Sequence, residues 1–228
     1  MNKKIIIFVT AMVLVLALAT GATFAYLFAE GDPITNTFEP TRIGSITVSE
    51  TGATDGKKDF TVVPGVPITK DPKIKYSPDS NTPNVGTIVV FATLDLAGTT
   101  WSYASNKFTY TDANENTLDF TINTTNWLYV GRAGTTGNKH VLVYKKVLDG
   151  TKASSAFEVI NGNTINVSEG WTEAQLATAF GAGGVKITVS ASVSQAKPNI
   201  TGAVGNTSTV TVANAKKAWN AISSTDIP

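Results

Sequence analysis

The sequence predicts an all-β fold: a two-sheet, jelly-roll-like sandwich with two short peripheral helices. Three observations carry this expectation. Val185, Ile187, Val189, Ala191 and Val193 alternate with Lys186, Thr188, Ser190, Ser192 and Ser194, the period of a half-buried strand. Thr87 to Leu96 (TIVVFATLDL) is a long β-branched and aromatic run suited to a central strand. Turn-forming residues recur about every ten positions, which gives about nine strands of sandwich length.

Along the chain, Ile43 to Glu50 alternates and places Ile46 and Val48 on one face. Phe60 to Val63 is a short second run, closed by a Pro64-Gly65 turn. Phe108–Thr111 and Leu118–Ile122 flank the turn-rich segment Asp112 to Asn116 and predict a hairpin. Further strands are expected over Trp127–Val130, His140–Val147 and Ala156–Ile160. Two segments carry helical spacing. Thr172–Phe180, capped by Ser168 or Thr172, groups Trp171, Leu176 and Phe180. Ala213–Ile222 places Ala215, Trp219 and Ile222 on one stripe. Gly, Ser, Thr and Asn crowd Asn199 to Ser208, the composition of a loop or hairpin tip.

The N-terminus has a different character. Lys3 and Lys4 precede an apolar run from Ile5 to Ala19, interrupted only by Thr10, and small residues follow at Thr20 to Thr23. Basic head, apolar core and small-residue exit make a secretory signal, with a core short for a membrane span. A single N-terminal anchor continuing to Phe28 is the alternative. The small-x-small exit Thr23-Phe24-Ala25 places cleavage between Ala25 and Tyr26; Ala17-Leu18-Ala19 is the competing site. The chain therefore divides into a signal peptide at 1–25, an N-terminal arm at 26–42 and a β-sandwich domain at 43–228. Cleavage removes Lys3 and Lys4 from the 18 basic residues, leaving 16 against 17 acidic ones. This near-neutral balance offers no electrostatic footprint for nucleic acid, or for an anionic membrane once the signal is gone. The chain has no cysteine although export would permit disulfides, so stability must come from packing or from neighbours.

Catalytic and metal chemistry are argued against by the residues themselves. His140 is the only histidine, and with no cysteine one chain cannot supply two or three imidazole or thiolate ligands for zinc. A serine triad would need His140, inside the strand-like HVLVY run, and neither a Gly-x-Ser-x-Gly elbow nor a phosphate-cradling loop occurs. Asp112, Asn114 and Asn116 reproduce half of a calcium loop, but Thr117 replaces its glycine and Asn123 its bidentate glutamate, which favours a plain hairpin turn. No catalytic, metal or cofactor site is expected. Trp101, Trp127, Trp171 and Trp219 could stack on sugars, though core packing is the commoner fate of such residues.

The stretch Ala22 to Glu50 resembles the start of the TasA/camelysin family. Thr23-Phe24-Ala25 matches its cleavage region, Tyr26 to Phe28 the aromatic segment, Asn36-Thr37-Phe38 its N-x-F, and Ile43 to Val48 its alternating first strand. Pro64-Gly65 with Lys70-Asp71-Pro72, Lys145–Gly150 with Phe157, and Val193–Ala196 with Ala218-Trp219-Asn220 resemble later blocks in order. The Ser/Thr-rich 190s and the loop at 199–208 depart from the pattern. The resemblance implies a jelly-roll-like sandwich, secreted to the extracellular matrix or cell surface, that polymerises into biofilm-matrix fibres by donor-strand exchange. Its partner is then itself, head to tail, with an accessory matrix or anchor subunit as a further partner. Camelysin has been regarded as a metallopeptidase, a reading that the missing ligands oppose; a surface adhesin or glycan-binding module is the other alternative.

The arm fits that implied mechanism. Tyr26, Leu27 and Phe28 are apolar or aromatic, and Ile34 and Phe38 follow at spacing four, while Gly31 and Pro33 prevent a regular central strand. These five residues are the expected donor-strand anchors, filling the open edge of the next subunit. N-terminal sequencing of the secreted protein is expected to read Tyr26 first; a start at Thr20, or retention of Met1, would contradict cleavage after Ala25.

Overall fold

The computed structural model describes residues 43–54, 59–79, 86–97, 101–135, 137–181, 184–196 and 210–228. The expected signal peptide, the arm at 26–42 and the loop at 199–208 lie outside the described residues. The strands are β1 (Ser45–Ser49), β2 (Ile68–Thr69), β3 (Lys73–Ser77), β4 (Thr87–Ala97), β5 (Trp101–Ala104), β6 (Lys107–Thr111) and β7 (Thr117–Thr121). They continue with β8 (Trp127–Arg132), β9 (Lys139–Tyr144), β10 (Leu148–Asp149), β11 (Phe157–Glu158), β12 (Thr164–Val167) and β13 (Lys186–Gln195). Two helices, α1 (Glu173–Phe180) and α2 (Val212–Ile222), complete the set.

These strands form an all-β, sandwich-like arrangement with antiparallel pairing throughout. One layer runs β13-β4-β9-β8, with β10 pairing the start of β4. The facing layer is split into β1-β3-β11 and β2-β12-β7-β6-β5. An isolated bridge between Ile122 and Ile160 ties the two parts together. β4 explains the architecture. Ile88, Val90, Ala92, Leu94 and Leu96 point into the main core, where they meet Ile74, Tyr76, Phe108, Phe120 and Trp127. On the other face of β4, Val89 and Phe91 enter a second core under α2, with Val210, Ala215, Ala218, Trp219 and Ile227. A strand covered on both faces needs a continuous apolar run, and each fully buried Val, Leu, Ile or Phe contributes about 1.5–3 kcal/mol.

The helices seal the ends, and their caps are local. Thr172 and Gln175 form a reciprocal capping box at α1, while the Ser168 hydroxyl instead accepts from the Thr117 N–H. Trp171 lies parallel to Tyr110 and packs on Phe180, and Leu176 also joins the main core. In α2, capped by Thr211, Ala215, Ala218 and Trp219 are buried, but Ile222 is 45% exposed and does not extend the stripe. The chain folds back after the helix, so Ile227, at 4% exposure, takes the apolar place. Asn220 fixes that return by donating to the Ile227 carbonyl (3.2 Å) and accepting from its N–H (2.9 Å).

Other expectations shift where partners decide. Phe60–Val63 makes no ladder; after the Pro64-Gly65 turn the pairing strand is β2, because β12 lies opposite Ile68 and Thr69. The expected His140–Val147 strand ends at Tyr144 as β9, and Ala156–Ile160 keeps only β11 and the Ile160 bridge. β3, β5, β10 and β12 are additional strands.

The side of the sandwich where β8 faces β5 is closed by aromatic rings. Tyr103 of β5 stacks on Tyr129 of β8 at 3.8 Å, and Phe108 meets His140 edge-on at 4.8 Å. His140 is 6% exposed, and its Nδ1 lies 3.1 Å from the Tyr129 hydroxyl. Burial, helped by nearby Arg132 and only partly opposed by Asp95, lowers the His140 pKa to about 4. The unfolded chain therefore takes up a proton near pH 6.5 that the fold refuses until about pH 4. Stability contributed by neutral His140 is full above pH 6.5 and is lost as pH falls through that window. His140→Gln is expected to flatten the decline in thermal stability between pH 7 and 4.5. After discounting for solvent screening, the difference is on the order of 1–2 kcal/mol. Parallel slopes for the two proteins would contradict it.

Candidate functional site

The opposite side of the sandwich, where β13 and β1 run near each other, is built differently. β13 pairs β4 in unbroken register from Lys186↔Ala97 to Gln195↔Ile88, and among the described residues no strand pairs its other edge. The Ala196 N–H donates to the Thr87 carbonyl, so by antiparallel alternation the even-numbered residues of β13 turn their backbone groups toward β4. Ile187, Val189, Ala191 and Val193 consequently direct theirs to the unpaired edge. The same four residues point their side chains to the main core yet are only partly buried, whereas Val90, Ala92, Leu94 and Leu96 beside them are fully enclosed.

β1 forms the facing wall. Ile46 pairs Tyr76 and Val48 pairs Ile74, so both turn toward the core side of their layer, as the sequence alternation implies. Tyr76 and Ile74 are fully buried, but Ile46 is half-exposed and Val48 is 39% exposed, because the layer opposite ends at β13. The result is a partly exposed apolar seam where β13 and β1 approach each other, with a row of backbone donors and acceptors along the β13 edge.

The wall is held at both ends. At its start, Gly44 has φ +105°, and a Cβ there would lie 2.5 Å from the Ser77 carbonyl oxygen, so the entry to β1 requires glycine. Nearby, the buried Tyr76 hydroxyl sits between the carbonyls of Ile43 and Gly150, 2.7 Å from the latter. Beyond the far end of β1, Lys70 pairs with Glu50 at 2.8 Å and lies over the Phe60 ring, while Asp71 accepts from the Thr51 N–H and hydroxyl. Burying such charges is tolerable because each has a partner within reach.

The remaining residues singled out in the sequence are scattered. Ala25, Tyr26, Leu27, Phe28, Ile34 and Phe38 lie outside the described residues. The Asp112 carboxylate is occupied by its own turn, accepting from the Asn114 and Asn116 N–H groups at 2.9 and 2.7 Å. Partial desolvation pushes its pKa up, but the hydrogen bonds from Asn116 and Asn114 outweigh this and hold it below the usual carboxylate value. Trp127, Trp171 and Trp219 are buried; Trp101 is half-buried, packs against Tyr110 and Phe120, and donates to the Ala97 carbonyl. The four tryptophans thus make no sugar-stacking platform. Sequence reasoning gave the alternating strand β13 but not its place at the edge of the sheet, because alternation marks faces and leaves the lateral neighbour unspecified.

With this geometry in hand, the chain was compared with known proteins: no family model matched it, and neither a search of curated proteins nor one of solved structures returned a match.

Proposed function

We propose that this protein is a secreted structural subunit that polymerises into extracellular or biofilm-matrix fibres by strand addition at β13. The N-terminal arm of one copy pairs the β13 edge of the next. The observation that carries the reading is the coincidence of two deficits at one place. Among the described residues, no strand pairs the edge along which Ile187, Val189, Ala191 and Val193 direct their backbone groups, and their inward side chains are incompletely covered. One added strand satisfies both, with main-chain bonds giving affinity and alternate side chains giving specificity.

Edge strands that are meant to stay unpaired are normally blunted by prolines, bulges or inward charges. From Ile187 to Ser194, β13 has no proline and no charged residue, and its register with β4 has no bulge. On its other face Thr188 and Ser190 are exposed, Ser192 is partly buried and Ser194 is buried, all of them polar and small. Donor and acceptor are different surfaces, so the contact is head-to-tail and propagates. The resemblance of Ala22 to Glu50 to the TasA/camelysin family supports the same reading, as does an exit signal followed by an arm with Ile34 and Phe38 on one face.

Val189→Pro provides the test. Its backbone N–H points away from β4, so proline there removes an edge donor and sets a ring in the path of an added strand while sparing the β4 ladder. The mature variant is expected to keep the fold by circular dichroism, with a melting temperature within a few degrees of the parent, roughly the effect of a surface change. It is expected to form no filaments by electron microscopy under conditions where the parent does. Filaments of ordinary length and number from Val189→Pro would overturn strand addition at this edge.

A further inference from the structure

The turn between β11 and β12 carries the one Asn-Gly step in the sequence, Asn161-Gly162. Both residues are exposed, and a Cβ at Gly162, where φ is +62°, would meet nothing within 4 Å. Among the described residues, the Asn161 side-chain amide has no hydrogen-bond partner and no group accepts from the Gly162 N–H. Nearby asparagines are placed differently. Asn163 donates from Nδ2 to Glu158 (3.2 Å), Asn166 donates to Asp119 (2.9 Å), and Asn123 accepts from the Thr125 N–H (3.1 Å). The residues that follow them, Thr164, Val167 and Thr124, are all β-branched and crowd their own amide nitrogens.

We propose that Asn161 is a site of spontaneous modification, with water as the only co-reactant, and that its product loosens the pairing of β2. The Gly162 backbone nitrogen gives its proton to water or hydroxide and attacks Asn161 Cγ. A C–N bond forms, the Cγ–Nδ2 bond breaks, and Nδ2 leaves as ammonia, so that a five-membered succinimide remains. Water then opens the ring. Attack at Cγ gives aspartate, and attack at the Asn161 backbone carbonyl gives isoaspartate. Glycine favours closure because no side chain crowds the nitrogen and its backbone turns freely. In isoaspartate the main chain runs through Cβ and is one carbon longer, within a turn that is tied at both ends. The Asn163 N–H donates to the Ile160 carbonyl (3.3 Å), and the Asn163 carbonyl accepts from the Lys70 N–H (2.9 Å). Next to that bond, β2 is held on β12 through Thr69↔Thr164 and Ile68↔Ile165 alone. A longer turn displaces Asn163, so the bond to Lys70 is the first to be lost.

The test is incubation of the purified protein in mildly alkaline buffer at physiological temperature, followed by peptide mapping with mass spectrometry. The peptide containing Asn161 is expected to lose ammonia and then gain water, with isoaspartate, identified by its fragmentation, as the larger product. Asn166 is also exposed but is followed by Val167, and is expected to convert at least about tenfold more slowly. Asn161→Gln is expected to abolish the reaction, since the six-membered ring it would need closes far more slowly. Gly162→Ala is expected to slow it, with the fold retained by circular dichroism. In the separated isoaspartate form, the Lys70 amide is expected to exchange its hydrogen at least about tenfold faster than in the unmodified chain. Conversion at Asn161 no faster than at Asn166, or unaffected by Gly162→Ala, would overturn the site. Isoaspartate at position 161 with unchanged Lys70 exchange would overturn its effect on β2.

Discussion

The ten-pair ladder between β4 and β13, with no strand beyond it among the described residues, is the constraint on which the rest depends. β4 is buried on both faces and paired on both edges, which makes it the least replaceable strand of the molecule. β13 inherits half of that environment: a full partner on one side, and on the other a row of N–H and C=O groups with no strand to receive them. An edge of this length, without charge or proline over its central residues, is a liability for an isolated monomer and an asset for an assembling one.

The two lateral sides of the sandwich show how this asymmetry is built from side chains. Where β8 meets β5, Tyr103, Tyr129, Phe108 and His140 fill the gap with rings, and burial keeps the imidazole neutral. Where β13 meets β1, the strands lie close together and valines, isoleucines and an alanine pack on the main core, while Val48 remains 39% exposed. The wall formed by β1 is nonetheless fixed, by glycine at Gly44 and by the Glu50–Lys70 pair beyond its far end.

Much of this fold was legible in the sequence. The alternation at Val185–Val193, the run at Thr87–Leu96 and the hairpin around Asp112 became β13, β4 and β6–β7 with small shifts at their ends. β3 was equally readable, since Lys73-Ile74-Lys75-Tyr76 alternates, but it was not among the expected strands. β2, two residues long, exists only because a partner lies opposite, and no local pattern marks it, whereas β11 falls inside the expected Ala156–Ile160 run. Ile222 was assigned to the buried face of α2 on spacing alone; the returning tail, with Ile227, decided otherwise. The edge position of β13 was not legible, because it is defined by which strand lacks a neighbour among the described residues, a property of topology and not of any residue run.

Residue-resolved amide hydrogen exchange on the mature protein, measured in monomer and in filament, tests the central claim most directly. Exchange reports whether each N–H is bonded within the subunit, bonded across subunits or left to solvent. In the monomer, the N–H groups of Thr188, Ser190, Ser192 and Ser194 face β4 and should be protected, while those of Ile187, Val189, Ala191 and Val193 should exchange rapidly. In the filament both sets should be protected. Protection of the second set already in the monomer, or its continued rapid exchange in the filament, would contradict the account.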